Sequence, residues 1–270
     1  MTSLSPLEHT AIGGVAGIVE ILVAQPSIYM KNALQQGRSI TFRPSVLYRG
    51  LAVNASAAMP ITALQFGVHR LTERTFMEAT QRAPSSVENI GFAMTAGATS
   101  SLIGCPAEFI MIQQQSTGAG FAATVKNVYK TYGITKFYKG LAATAGRESV
   151  YAAGYLGIAP LLRKELANVK AIDDVPGASL AVAGIASGLI ATVFSHPFDS
   201  VKTRMQGNPN NALAPQYSSL PRALYYSLKH EGVRKLFSGL LPRSVRLVVA
   251  VFILTGVRNT LIDVVEEIRR

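Results

Sequence analysis

Long stretches with few charged residues alternate with short polar connections along the chain. The first of them, residues 12–30, contains Glu20 as its only charge. Five more follow, at residues 50–68, 89–107, 137–162, 175–198 and 236–258. Because about 20 apolar residues in a helix cross the hydrocarbon core of a membrane, the pattern predicts six membrane-spanning helices in an all-α membrane protein.

Three prolines recur near the ends of the first, third and fifth stretches, at Pro26, Pro106 and Pro197. A proline removes a backbone donor, so each is expected to kink its helix and to give proline-broken spans. Amphipathic surface helices are predicted at Phe121–Tyr132 and at residues 219–230, whereas the first connection has room only for a turn at Pro44–Leu47. The pattern predicts one domain, residues 1–270, built from repeats at 8–78, 86–168 and 175–265.

Pairs of small residues four positions apart occur in the three proline-containing stretches. This spacing lets membrane helices approach closely. The pairs are Gly13 with Gly17, Gly97 with Ser101, and Gly184 with Gly188. Glu20 has two interpretations: an acid satisfied by a neighbouring helix, or a carboxylate that faces a cavity.

Composition supports a membrane location. Hydrophobic residues make up 49% of the 270 residues and charged residues only 15%, against about 25% charged residues in soluble domains. The net charge of +11 suits anionic lipids or substrates, and without a recognisable nucleic-acid-binding motif we expect no nucleic-acid partner. A single cysteine, Cys105, leaves no intrachain disulfide. The sequence has no metal-ligand cluster, phosphate loop or nucleophile–base pair, so we expect a protein that is not an enzyme and has no cofactor or metal.

A polar motif begins at each of the three prolines. The complete copy combines a proline, an acid, a base and a glutamine in Pro197, Asp199, Lys202 and Gln206. The two other copies each replace one charged position with an apolar residue. The second has Glu108, Met111 and Gln115, and the first has Ile28, Lys31 and Gln35. An aromatic–x–Gly element follows each copy, in Tyr48-Arg49-Gly50, Tyr138-Lys139-Gly140 and Phe237-Ser238-Gly239.

This threefold arrangement resembles the mitochondrial carrier family, and the resemblance covers essentially the whole chain. It implies six transmembrane helices in three pseudo-symmetric two-helix repeats, with short surface helices on the matrix side. It also implies a monomeric, multi-pass protein of the mitochondrial inner membrane, with cardiolipin as a structural lipid. The implied activity is secondary transport, in which small metabolites are exchanged by alternating access.

The resemblance implies a matrix-side gate in which the acid of each odd helix pairs with the base of the next odd helix. The expected contacts are listed here by pair: Asp199 with Lys31, Glu108 with Lys202, and Ile28 with Met111. Because both members of the third pair are apolar, no buried charge is left without a partner. The resemblance makes Gln35, Gln115 and Gln206 braces of this gate; the alternative is that each marks a helix end entering water.

The opposite, cytosol-facing gate lacks its usual charged pairs. The matching positions are Arg70 and Glu73, Pro160 and Arg163, and Arg258 and Leu261. No standard ion pair can be assembled from them. We therefore expect the resting carrier to stay open to the intermembrane space.

The resemblance also implies substrate contacts near the middle of the even helices. The candidate substrate-binding residues are Ala57, Arg147, Glu148, Tyr151, Arg243 and Arg246. Arginines at this depth are costly unless they line water or find partners, and a guanidinium fits a carboxylate bidentately. The resemblance favours small anionic or zwitterionic, amino acid-like metabolites, because an arginine followed by an acid, here Arg147-Glu148, is similar to carriers of amino acids and related zwitterions.

Three alternatives to that interpretation stay open. Residues 14–21 and 143–147 are similar to stretches in carriers of di- and tricarboxylates and 2-oxo acids. Arg147 and Glu148 could instead neutralise one another or a third group. The shortened first repeat and the weak second gate leave room for a carrier-like scaffold that does not transport.

Overall fold

The computed structural model describes residues 6–166 and 178–268, with side chains described for 15–166, 178–253 and residue 260. The described residues contain helices and turns and no β-strand. In chain order the helices are α1 (Pro6–Gln35), α2 (Pro44–Leu47), α3 (Leu51–Thr80), α4 (Ser86–Thr117), α5 (Phe121–Tyr132), α6 (Leu141–Ala152), α7 (Ala159–Leu166), α8 (Ala178–Gly207), α9 (Leu220–Tyr226), α10 (Val233–Leu236) and α11 (Leu240–Ile268).

The long helices close into a ring. Helix α3 packs on α4, α4 on α6, and α6 on α8, which in turn contacts α11; α11 packs on α1, and α1 touches α3. A π-helical turn at Ala153–Ile158 joins α6 to α7, so these elements form one continuous helical segment. The all-α fold predicted from the sequence is confirmed, and the ring leaves a cavity at its centre.

The number of membrane crossings is not fixed by hydropathy alone. By length and apolar composition, three segments of the described chain qualify as spans: Pro44–Thr80, Ala178–Gly207 and Val233–Ile253. The six-span count and the repeat boundaries therefore stay predictions.

The three motif prolines lie inside continuous helices. Pro26, Pro106 and Pro197 lie inside α1, α4 and α8, and each helix continues for at least two turns beyond its proline. The interpretation of proline-broken spans was wrong, because loss of one backbone hydrogen bond leaves the rest of the ladder intact and neighbouring helices support it. Whether each proline kinks its helix stays a prediction.

The connecting helices agree closely with the sequence pattern. The four-residue α2 is the turn predicted for the shortened first connection, and α5 has the predicted bounds. The stretch predicted at 219–230 is split between α9 and a π-helical turn at Ser227–Glu231.

A glycine in the left-handed conformation directly precedes each of the helices α3, α6 and α11. Gly50, Gly140 and Gly239 have φ values of 81°, 83° and 84°, which favour glycine because a side chain would be strained there. A Cβ on Gly50 would lie 2.6 Å from Met111, and one on Gly239 would lie 3.2 Å from Lys31. The aromatic–x–Gly elements thus turn the chain tightly against the ends of α4, α8 and α1.

The small-residue pairs are only partly used for close helix packing. A Cβ on Gly188 would lie 2.7 Å from Leu247, whereas one on Gly17 or Gly184 would meet nothing within 4 Å. The tightest approach is at Gly97 of α4, where a Cβ would lie 2.3 Å from the carbonyl oxygen of Glu148. Close packing is therefore confirmed at Gly97 and Gly188, and the prediction was wrong at Gly17 and Gly184.

Gly97→Ala tests this contact. The added methyl group has no flexible neighbour to displace, since it meets the backbone of α6, so we expect destabilisation by about 1–3 kcal/mol. The matched control is Gly91→Ala in the same helix, where a Cβ meets nothing within 4 Å and alanine is favoured by about 1 kcal/mol. Thermal unfolding of the detergent-solubilised protein should separate the two; equal melting temperatures would contradict the packing.

Candidate functional site

The central cavity has two lobes that share a wall on α6. The lobe beside α3 has a volume of about 450 Å³ and the lobe beside α8 and α11 about 410 Å³. Arg147, Glu148, Tyr151 and Arg246 line both. Ala57 lines only the first lobe and Arg243 only the second. The six residues predicted to bind substrate thus surround one space, and their binding role stays a prediction.

Two ion pairs lie at one end of this cavity, between the residues expected from the sequence. Lys31 Nζ lies 3.0 Å from Asp199 Oδ2, and Lys202 Nζ lies 2.9 Å from Glu108 Oε2. Within α8, Lys202 and Asp199 are farther apart, at 3.5 Å. Asp199 and Lys202 are each only 1% exposed. The complete copy of the motif therefore sends its acid and its base to two different helices.

Arg147 is part of the same group of charges, which the sequence interpretation missed. Its Nη2 atom lies 2.7 Å from Glu108 Oε1, and its Nε atom lies 3.7 Å from Asp199 Oδ1. Arg147 also contacts Glu148. The alternative that Arg147 and Glu148 contact one another agrees with this geometry, because the long arginine side chain reaches back to the neighbouring carboxylate. We call Lys31, Glu108, Arg147, Asp199 and Lys202 the ion-pair cluster.

The three glutamines predicted as braces differ in what they contact. Gln35 donates from Nε2 to Asp199 Oδ2 at 2.9 Å and so supports an ion pair. Gln206 instead donates to the backbone carbonyl of Lys139 at 3.3 Å, and Gln115 contacts amides. All three are at most 2% exposed, which excludes the alternative that they mark helix ends in water. The brace role of the three glutamines stays a prediction, and only Gln35 among them donates to a carboxylate of an ion pair.

An amide network closes the side of the ring where the motif has no charges. Asn32 donates to Gln115 Oε1 at 2.7 Å, and Gln115 donates to the carbonyl of Arg49 at 3.2 Å. Gln25 donates to the same carbonyl at 2.9 Å and accepts from Asn54 at 3.3 Å. We call Gln25, Asn32, Asn54 and Gln115 the amide network.

Sequence reasoning missed Gln25, Asn32 and Asn54 as members of this network because it followed charged positions. A usable signal was present: uncharged amides inside apolar helices, with Asn32 one turn beyond the apolar Ile28. Ile28 and Met111 are both buried and line one small cavity, in agreement with the predicted apolar pair. The side-chain contacts within the amide network are thus neutral.

Arg204 is a further buried cation that sequence reasoning missed. Its guanidinium donates to the carbonyl of Gln35 at 3.0 Å, to Ser227 Oγ at 2.7 Å and to the carbonyl of Lys235 at 2.8 Å. It also contacts Glu231. Through these hydrogen bonds Arg204, near the end of α8, links the end of α1 to the surface segment that contains α9 and α10.

The arginines of α6 and α11 line the cavity and do not use all of their hydrogen-bond donors. Arg243 donates from Nη2 to Ser195 Oγ at 2.8 Å, and Arg246 lies 3.4 Å from Glu20 Oε1. Within the described part of the chain, four buried guanidinium nitrogens find no hydrogen-bond partner: Arg38 Nη2 and, on arginines that line the cavity, Arg147 Nε, Arg243 Nη1 and Arg246 Nε. Unpaired buried donors are costly, so this arrangement is suited to an anion. Glu20 satisfies both of its interpretations, since it pairs with Arg246 and lines the cavity.

The opposite end of the ring contrasts with the ion-pair cluster. Among the side chains that the structure describes, Arg70, Glu73 and Arg163 form no ion pair with one another. Pro160 begins the first turn of α7, and Arg258 and Leu261 lie outside the described side chains. The predicted resting state, open to the intermembrane space, stays a prediction.

Charge reversal tests the contact of Asp199 with Lys31. Asp199→Lys should destabilise the protein by roughly 3–5 kcal/mol, since it places a cation among buried cations. Adding Lys31→Asp should recover only part of the loss, because Arg147 and Arg243 also lie within 4 Å of Asp199. Melting temperatures measure this, with Glu78→Lys in the exposed Arg74–Glu78 pair as a control that should change little. No recovery in the double variant would contradict the pairing.

A double-mutant cycle tests the amide network. Asn32→Ala and Gln115→Ala should each destabilise the protein, and the double variant should show a coupling of about 1 kcal/mol. Because neither side chain is charged, the coupling should be the same in low and high salt. Ser116→Ala is the control, since its hydroxyl bonds only to a carbonyl of its own helix. Strictly additive effects would remove this contact from the network.

Comparison with known proteins identifies the family of the chain. The profile of the family described as "Mitochondrial carrier protein" matches residues 82–170 and 173–268. A "Probable mitochondrial 2-oxodicarboxylate carrier" of Dictyostelium discoideum is 28% identical over 261 residues, which cover 90% of this chain and 86% of that protein. One of the same description from Schizosaccharomyces pombe is 29% identical, covering 94% and 92%. A "Mitochondrial glycine transporter" of Aspergillus niger is 24% identical, covering 88% and 84%. The chain belongs to the mitochondrial carrier family.

Proposed function

We propose that this protein exchanges small amino acid-like metabolites across the mitochondrial inner membrane by alternating access. The observation that carries the proposal is that Arg147, Arg243 and Arg246 line one two-lobed cavity, next to the carboxylate of Glu148. As a family member the chain is a multi-pass mitochondrial membrane protein that transports small molecules. The inner membrane, a monomeric state and contact with cardiolipin are part of the proposal.

The substrate class follows from the pairing of Arg147 with Glu148. A zwitterion that enters this contact offers its carboxylate to Arg147 and its ammonium group to Glu148. Both buried charges then keep a partner, which avoids the cost of an isolated buried charge. The apolar surface of Ala57, Ala58 and Ile61 in the same lobe suits a short hydrocarbon segment.

A di- or tricarboxylate or a 2-oxo acid is the second candidate. Two of the relatives named above are described as 2-oxodicarboxylate carriers, and three arginines could hold two carboxylates. When such an anion binds Arg147, it weakens the contact of Arg147 with Glu148 and offers Glu148 no positive group in exchange. The zwitterion is favoured for that reason.

The ion-pair cluster and the amide network together form the proposed matrix-side gate. Opening separates α8 from its neighbours and breaks the contacts of Asp199 and Lys202, while bound substrate supplies compensating contacts. A carrier-like scaffold without transport is the competing class. Proteoliposomes loaded with amino acids and carboxylates distinguish the two, since a scaffold exchanges none of them.

Ligand-induced stabilisation of the purified protein tests the cavity. A ligand that binds only the folded state raises the melting temperature in proportion to its occupancy. In Arg147→Lys and in Arg246→Gln, the concentration of the best amino acid that is needed for a given shift should rise at least tenfold. Each change removes a charge-assisted hydrogen bond, which is worth about 1.5–3 kcal/mol. Arg163→Gln, an exposed residue outside this cavity, is the control. An undiminished shift in both cavity variants would exclude these arginines from the site.

A further inference from the structure

Gln65 of α3 is a buried amide at the cavity that connects four helical elements. Its Nε2 atom donates to Ser100 Oγ of α4 at 2.9 Å and to Glu148 Oε2 of α6 at 3.1 Å. Its Oε1 atom accepts from the hydroxyl group of Tyr155, in the π-helical turn, at 2.6 Å. The side chain is only 5% exposed. No charged motif marks Gln65, which is why the sequence pattern did not single it out.

The direction of every hydrogen bond around Gln65 is fixed. Ser100 donates its own proton to the carbonyl of Gly97 at 2.8 Å, so its oxygen is left to accept from Gln65. The phenol of Tyr155 donates to the amide oxygen, which turns the amide nitrogen toward Glu148. Glu148 Oε2 is therefore held as an acceptor, and its other oxygen faces Arg147.

The π-helical turn places Tyr155 where it can do this. A π turn adds a residue to the helical repeat and is often found at functional sites. Two glycines let it pack closely: a Cβ on Gly154 would lie 2.5 Å from Ala191, and one on Gly157 would lie 2.8 Å from Ile90. Tyr155 is thereby directed between the two lobes of the cavity and lines both.

We infer that Gln65 and Tyr155 are positioning residues that set the preference for an amino acid over the 2-oxo acid of the same carbon skeleton. They hold Glu148 as a hydrogen-bond acceptor facing the cavity, where it receives the ammonium group of the substrate. A keto group in place of the ammonium group offers this acceptor no proton. The inference rests on the proposed function and adds to it the residues that discriminate between the two candidate substrate classes.

The test compares matched ligand pairs on the full-length carrier. Glutamate with 2-oxoglutarate, and 2-aminoadipate with 2-oxoadipate, are titrated against purified protein by thermal shift and used as competitors in proteoliposome exchange. The quantity measured is the ratio of the affinity for the amino acid to the affinity for its oxo acid. In the unmodified protein this ratio should exceed one.

Tyr155→Phe removes one hydroxyl group and keeps the ring, and Gln65→Leu removes the amide. Either change releases Glu148 from its fixed orientation, so the ratio should fall about tenfold, the size expected for one hydrogen bond to a charged group. Glu148→Gln should lower the ratio as well, and adding Gln65→Leu to it should lower the ratio no further. Thr72→Val in α3, whose hydroxyl group bonds only to carbonyls of its own helix, should leave the ratio unchanged.

The outcomes distinguish a failure of the proposed function from a failure of the roles assigned to Gln65 and Tyr155. If the unmodified protein neither binds nor exchanges any of the four ligands, the proposed function fails and this inference fails with it. If the protein binds them but Tyr155→Phe and Gln65→Leu weaken both members of each pair equally, the two residues have a structural role only and the inference is overturned. An unchanged ratio in both variants overturns it too.

Discussion

The buried carboxylate of Asp199 is the constraint on which the rest of the structure depends. A carboxylate with 1% exposure is stable only if cations surround it closely. Lys31 of α1 supplies the shortest contact, and Arg147, Lys202 and Arg243 lie within 4 Å. Because these cations come from α1, α6, α8 and α11, the need to neutralise one acid fixes the positions of four long helices.

The three sides of the ring are closed by different chemistry. Two sides rely on ions of α8, and the third relies on the neutral amides of α1, α3 and α4. Neutral amides have a small desolvation cost compared with ions, so the third side can separate and re-form without exposing or burying a charge. Because of this asymmetry, the third motif copy takes part in both ion pairs between helices, through Asp199 and Lys202.

The sequence predicted the fold well because its information is periodic. Charge-free stretches, motif prolines and aromatic–x–Gly elements recur three times, and recurrence identifies helices and their order more reliably than any single residue does. The ion pairs of Asp199 and Lys202 were predicted from the resemblance to the carrier family, which implies that each acid pairs with the base of the next copy. The amides Gln25, Asn32 and Gln65 were not, because an amide in an apolar helix has many possible partners and only the packed ring selects one. The second contact of Arg147, with Glu108, likewise depends on the distance between α4 and α6.

The close approach of Gly97 to the backbone of Glu148 bears on the transport cycle. With no side chain between them, α4 and α6 are in direct contact at the level of the cavity, so the two helices are expected to move as one body. Glu108 and Arg147 then travel together while α8 departs. Arg147 is then expected to stay beside Glu108 when the gate opens, so that one arginine serves both as the counter-ion of Glu108 and as the proposed partner of the substrate carboxylate.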